Sequence, residues 1–320
     1  MAVATDGYTT YEAKGLRESL ADIIYNISPT ATPFMMLAGR GKAKARTEEW
    51  QIDVLSSAVD TNAVIEGDDV VATAAVPTTR IKNYTQISDK AFTITGTQEV
   101  VDKAGRKSEL AYQMMKVSKE LKTDVEKQVC SNKASVIGDR TTARQSGGAA
   151  AWIESNFDYG VGTSGVGGFN ASNGLVEAHA TDGTDRALTE SQVKSVIRDA
   201  WTSGGEPTVI LTGPFNKQVI SAFTGNATRT DKSEDKRLTT SVDVYISDFG
   251  THSVRASRLS PADHVLILSP KMWEVRYLRN FRSWKLAKTG DTEKRQLLVE
   301  YTLCSKNEAA SGCIADLTSS

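Results

Sequence analysis

The feature that most constrains this chain is a long segment, residues 45–97, that cannot bury itself. Glu49-Trp-Gln-Ile-Asp-Val-Leu55 alternates as a strand should, and Thr79–Ser88 and Ala91–Thr95 repeat with period two. Between them runs a long stretch that reads as polar, with Glu66-Gly-Asp-Asp69 near its middle and Ala72 to Pro77 beyond. A two-stranded ribbon with little apolar content is marginal by itself. The pattern therefore predicts an extended hairpin that needs a partner surface.

The period changes after the hairpin. Leu110, Met114, Val117, Leu121, Val125 and Val129 follow steps of three and four, and nothing from Lys107 to Cys130 breaks a helix. At 1.5 Å per residue this predicts a rod of roughly 35 Å. Its other faces carry Lys116, Lys119, Glu120, Lys122, Asp124, Glu126 and Lys127, which read as solvated surface. Residues 138–185 are rich in small residues and read as irregular, with Gly147 to Gly174 as adaptable loop. Leu188–Trp201 predicts a second helix, Pro207–Gly213 a short buried strand, and Pro214–Phe223 a third helix opened by its proline. Val242–Ser247 and Thr251–Arg255 predict a hairpin around Asp248-Phe-Gly250, and Val265–Leu268 another buried strand. Beyond them lie further strands joined by tight polar turns, within Val275–Asp291 and Leu297–Leu303. Leu188 to Ser269 thus reads as a compact α+β unit interrupting a domain built from the long helix and the C-terminal strands. Ahead of the hairpin, residues 1–15 read as a flexible arm and Leu16–Ile27 as a short amphipathic helix stopped by Pro29. Phe34-Met-Met-Leu37 then forms an apolar anchor, and Gly39–Arg46 reads as a basic, glycine-marked link, either a solvated loop or a contact with an acidic neighbour or nucleic acid.

Composition narrows the function. The 320 residues carry a formal net charge of −1, which gives no global pull toward nucleic acid or an anionic membrane. A mean hydropathy of −0.32 suits a globular chain, and no apolar run approaches the roughly 18 residues of a membrane span. Met1–Gly7 lacks the basic segment and apolar core of a signal peptide. Cys130, Cys304 and Cys313 are widely spaced and read as reduced, buried thiols. No pair among them and His179, His252 and His264 has zinc-ligand spacing.

Motifs for chemistry fail in context. Gly160-Val-Gly-Thr-Ser-Gly165 matches a dinucleotide fingerprint literally, but no apolar strand precedes it and no helix start follows. Asp53 with Asp60, or Glu66 with Asp68 and Asp69, offer carboxylates for a divalent ion, yet without calcium-loop spacing. Glu66–Asp69 reads instead as a solvated hairpin tip. Arg276, Arg279, Arg282, Lys285 and Lys288 recur every third residue, so on a strand they split between faces. They read as salt bridges to carboxylates of the same or another subunit. No catalytic residue, cofactor or metal is expected.

Taken in order, these residues resemble a known family. Leu20-Ala-Asp-Ile-Ile-Tyr-Asn-Ile-Ser-Pro-Thr-Ala-Thr-Pro-Phe34, Gly39-Arg-Gly-Lys-Ala43, Glu49-Trp50, Leu286-Ala-Lys-Thr-Gly-Asp-Thr-Glu293 and Asn307-Glu-Ala-Ala310 are similar to major capsid proteins of tailed double-stranded DNA bacteriophages. Those proteins share the Hong Kong 97-type fold. The resemblance implies an N-terminal arm (1–44), an extended loop over the adjacent subunit (45–97), a peripheral domain (98–187 and 270–320) with its spine helix (107–130), and an inserted axial domain (188–269). It further implies hexamers and pentamers of this chain in an icosahedral virion shell, assembled in the host cytoplasm. Partners would be packaged DNA, bound without sequence preference on the inner face, with portal, scaffolding and cement or decoration proteins. Phe34, Arg40, Lys42, Trp50, Glu66, Asp68, Asp69, Arg80, Lys82, Arg279 and Arg282 are then the candidates for contacts between subunits. Some members cross-link through a lysine and an asparagine. Lys82, Asn83 and Lys90 lie in the corresponding loop, but the motif does not transfer residue by residue and no bond is expected. The competing readings are another virion component, such as a tail or decoration protein, and a nucleotide-dependent enzyme with an inserted substrate domain.

Overall fold

The structure, a computed structural model, describes residues 31–67, 69, 74–102, 107–163, 165, 167–177, 180–223 and 243–320. Asp68, His179, a mixed-charge stretch at 229–237 and residues 1–30 of the expected arm, which include its short helix, lie outside the described residues. In chain order the elements are α1 (Pro33–Leu37), β1 (Gly39–Lys42), β2 (Thr47–Ile52), β3 (Thr79–Tyr84), β4 (Gln86–Thr95), α2 (Gly96–Val100), α3 (Glu109–Val129), α4 (Ala149–Trp152) and β5 (Phe157–Asp158). There follow α5 (Glu190–Thr202), β6 (Val209–Thr212), α6 (Pro214–Ser221), β7 (Val244–Ser247), β8 (Gly250–Ala256), β9 (Val265–Leu268), β10 (Trp273–Lys285), β11 (Thr292–Ser305) and β12 (Gly312–Ile314).

The long helix forms where its periodicity places it. The Ser108 side chain accepts the Ala111 N–H at 3.2 Å, and the Glu99 carboxylate accepts those of Glu109 and Leu110 at 3.0 and 3.2 Å. The first-turn donors that a helix leaves unpaired are thereby satisfied. Val117, Leu121, Val125 and Val129 are buried, while Lys116, Lys119, Lys122 and Lys127 stay exposed. The buried stripe packs on β4 and β11 of a four-stranded sheet ordered β1-β10-β11-β4. Lys90 of β4 reaches back to Asp124 of α3 at 2.9 Å.

A second sheet has six strands in the order β5-β12-β9-β6-β8-β7. Against it packs α5, whose N-terminus is closed by a capping box between Thr189 and Gln192. Val193, Val196, Ile197 and Ala200 face a core with Ile210, Val254 and Ile267.

Two boundaries differ from expectation for a pairing reason, and one expected loop is buried. β4 was expected within the extended loop, but it is hydrogen-bonded to β11 over its whole length, from Gln86↔Tyr301 to Thr95↔Thr292. The free hairpin therefore ends near Tyr84 instead of residue 97. β5 and β12, expected in the domain of the long helix, pair with one another and with β9 in the six-stranded sheet. Residues 146–153, read as adaptable loop, are buried, and α4 lies wholly within the core. Small residues there permit close approach: a Cβ on Gly148 would stand 2.1 Å from the Ser131 carbonyl oxygen. All three cysteines are free and buried, and burial pushes their thiol pKa values up, that of Cys304 to about 12.

Leu121 has no exposed surface at the centre of the α3 stripe. Leu121→Ala should cost about 2–5 kcal/mol through lost burial and the cavity left behind. A thermal melt of the soluble subunit should show a clear drop in Tm; an unchanged Tm would mean the stripe is misplaced.

Candidate assembly surface

The hairpin β2–β3 has a root and a tip with opposite characters. At the root, antiparallel pairing sets Trp50 opposite Ile81 and Glu48 opposite Asn83. Ile81 and Tyr84 are buried. Trp50 donates its Nε1–H to the Ser305 carbonyl at 2.8 Å, packs against Trp152 at 5.6 Å, and lies under the Arg276 guanidinium at 6.0 Å. Arg276 is also paired with Glu48 at 2.9 Å and Glu274 at 3.2 Å. Asn83 has no exposed surface. Its Nδ2 donates to the Leu303 carbonyl at 2.7 Å, and its Oδ1 accepts from the Gly147 N–H at 3.0 Å and the Ser135 hydroxyl at 2.8 Å. On the outer edge of β3, the Lys82 N–H donates to the Gly174 carbonyl at 2.8 Å. Gly174 sits at φ +73°, where a Cβ would meet the Arg80 carbonyl oxygen at 2.4 Å. The root is thus locked into its own subunit.

Beyond Ile52 the two strands part, and the described residues from 53 to 78 have no regular structure and stand exposed. Val54, Leu55, Val59, Val64, Ile65 and Val76 are each between 70% and 93% exposed. The reading of this stretch as polar missed them. Their burial is so low because none of the described residues of their own subunit covers them.

The candidate contact residues divide accordingly. Phe34 is buried against Trp273, edge to face with centroids 6.0 Å apart, so it has no surface to offer a neighbour. Trp50 is likewise held by its own chain. Arg279 is bound at 2.6 Å to Glu300, which is buried and also takes the Arg144 guanidinium and, at 3.0 Å, the Thr85 hydroxyl. Arg80 pairs with Glu49 across the hairpin at 3.5 Å. Arg40, Lys42, Glu66, Asp69 and Arg282 are exposed, and Lys82 is half-buried.

One anchor was missed in the sequence. Glu126, on the face of α3 read as solvated, is fully buried and accepts the N–H groups of Phe34 and Met35 at 2.6 and 2.9 Å. Burial raises its pKa above the usual carboxylate value, against the lowering effect of the two backbone donors. Its one clue was an acid one position beyond Val125 in the apolar stripe.

A family model described as SU10 major capsid protein matches residues 4–318. The chain belongs to that family. It is a structural protein of a tailed-phage capsid shell. A curated major capsid protein of Escherichia phage Phieco32 is 25% identical over 339 residues, spanning 96% of this chain and 96% of the relative. Among solved structures, a capsid asymmetric unit of cyanophage A-1(L) superposes with a TM-score of 0.65 at 15% identity, covering 97% of this chain and 98% of that one. Phage G gp27 major capsid proteins, solved with gp26 decoration proteins, give a TM-score of 0.56 at 11% identity, with 99% and 100% covered. These likenesses show the fold, an α+β capsid fold of the Hong Kong 97 type.

The remaining motifs of this capsid protein take structural parts. Asp316 sits in the turn of the glycine fingerprint, its carboxylate accepting N–H groups of Gly160 and Gly183 at 2.8 Å and the Thr163 hydroxyl at 2.9 Å. Burial works to raise its pKa, and those donors outweigh it, holding the carboxyl below its ordinary range. His252 is buried with Nε2 2.7 Å from the Ser247 hydroxyl, and desolvation lowers its pKa. Among the described residues no cluster of three histidine, cysteine or carboxylate side chains could hold a metal, and no helix is long and apolar enough to cross a membrane.

Glu126→Ala in this capsid protein should leave the Phe34 and Met35 N–H groups without their acceptor, at about 1–3 kcal/mol for each buried donor. Calorimetry on the soluble subunit should register the loss, together with faster cleavage near residue 34 under limited proteolysis. Wild-type stability and wild-type cleavage would show that the anchor does not matter.

Proposed function

We propose that this chain assembles into hexamers and pentamers that tile a closed icosahedral shell around double-stranded DNA, with the 53–78 loop of each subunit lying across the next. The exposed loop carries this reading. A long segment with six large apolar side chains in water is unfavourable in an isolated subunit, and such surface marks an interaction site. A loop rooted in one subunit and covered by another makes a heterologous contact, which repeats until it closes.

The parts then take their family roles. The body carrying α3 and the four-stranded sheet serves as the peripheral domain. Residues 188–269, with β5 and β12 added to their sheet, serve as the axial domain around the five-fold and six-fold axes. The segment 1–44 serves as the N-terminal arm. Contact with packaged DNA is local and sequence-independent, since a net charge of −1 provides no general attraction. Assembly takes place in the host cytoplasm, with scaffolding, portal and decoration proteins as further partners. No reaction is assigned to the chain.

Expression of the chain followed by sedimentation and negative-stain microscopy tests the proposal. Closed shells or capsomers are expected. Tubes or spikes would place the chain elsewhere in the virion, and a small oligomer with a hydrolytic activity would sink the structural reading.

A further inference from the structure

Between Ile52 and Arg80 the sequence carries Asp53, Asp60, Glu66, Asp68 and Asp69 and no lysine or arginine. The loop that offers exposed valines, Leu55 and Ile65 is therefore also strongly acidic. The complementary surface lies on the same molecule. Gly39–Arg46 carries Arg40, Lys42, Lys44 and Arg46 and no acid, and all four bases are exposed. Arg40 and Lys42 sit on β1, the margin of the four-stranded sheet.

That margin continues past the end of β1. β1 runs parallel to β10 and its pairing stops at Lys42↔Tyr277. From Leu278 to Lys285, β10 has β11 on one side and, among the described residues, no strand on the other. An open edge of this kind is a ready template for an added strand. Arg282 is exposed along it, and Trp284 and Leu286 near its end are 47% and 37% exposed. Base and apolar surface thus occur together on the margin, as acid and apolar surface do on the loop.

Asp53, Asp60 and Glu66 stand exposed, as do Arg40, Lys42, Lys44 and Arg46. Each limb of the loop, about 13 residues long, has a reach of up to roughly 40 Å when extended, enough to arrive at an adjacent molecule.

We infer that the acidic, apolar 53–78 loop of one copy docks along the basic β1–β10 margin of a second copy, pairing its carboxylates with Arg40, Lys42, Lys44, Arg46 and Arg282 and its valines with Trp284 and Leu286. The inference rests on the shell reading and names the surface that receives the loop. Charge complementarity of this kind steers encounter and fixes register. It also gives the shell a dependence on ionic strength.

A charge swap tests it. Asp60→Lys with Glu66→Lys reverses two charges of the loop, whose five acids then sum to −1, and Arg40→Glu with Lys42→Glu reverses two charges of the margin, whose five bases then sum to +1; each pair should lower the yield of particles at least about tenfold through like-charge contacts at the altered positions. All four changes in one chain restore opposite charges between copies, so yield should return to within about threefold of the unaltered protein. Melting curves of the subunits check that each variant folds. If the margin pair fails that check, Arg40→Gln with Lys42→Gln replaces it and should give a smaller loss in the same direction. Normal yield from the reversed margin overturns the inference, and so does a four-fold variant no better than its parents. Reversed-margin shells that form normally but retain less DNA would make the margin a nucleic-acid contact instead, which also overturns it. Failure of the unaltered chain to form any shell would sink the proposed function and this contact with it, whereas shells indifferent to charge reversal would sink the contact alone.

Discussion

The packing of one helix stripe on one sheet underlies the rest of the architecture. Val117, Leu121, Val125 and Val129 of α3 press on β4 and β11, and a helix with an apolar stripe and a sheet with an apolar face bury each other most simply this way. The other anchors depend on those two elements. α3 also supplies Glu126, which fixes the chain at Phe34. β11 supplies the Leu303 and Ser305 carbonyls that hold the hairpin root, and Glu300, on which Arg144, Arg279 and Thr85 converge. If the stripe were loosened, these polar groups would lose their geometry. A buried carboxylate such as Glu300 is costly once its cations are misplaced.

The hairpin then combines rigidity and exposure in consecutive residues. Its root is held by a tryptophan, a buried asparagine and an arginine shared between two carboxylates, all within the subunit. Among its described residues, the tip has neither paired strands nor buried side chains. A fixed root aims the loop, and an uncovered tip leaves its apolar and acidic side chains for another molecule. Such a division suits a shell protein, because it makes a subunit stable alone and incomplete alone.

What the sequence revealed follows from which interactions are local. The α3 stripe and the buried strands β6 and β9 depend on near neighbours along the chain and were readable from periodicity and short apolar runs. Strand partners were harder. β4 follows the hairpin directly, so it read as part of it, whereas its pairing with β11 spans some two hundred residues. β12 and β5 are only three and two residues long, too short for a period to show. Small residues at 147–151 read as loop because composition does not distinguish flexible backbone from backbone packed at close approach. Among the contact candidates, the structure gives Phe34 and Trp50 partners in their own chain. The exposed charges, Arg40, Lys42, Glu66 and Arg282, remain available. The apolar side chains of the loop were overlooked because they are spaced among alanine, serine and aspartate.

The central claim is that residues 53–78 are uncovered in the subunit and covered in the shell. Hydrogen–deuterium exchange, measured on free subunits and on assembled particles, addresses it directly. The account predicts rapid exchange across the loop in free subunits, strong slowing there on assembly, and slow exchange in α3 in both states. Slow exchange of the loop in free subunits, or undiminished exchange in the particle, would contradict it.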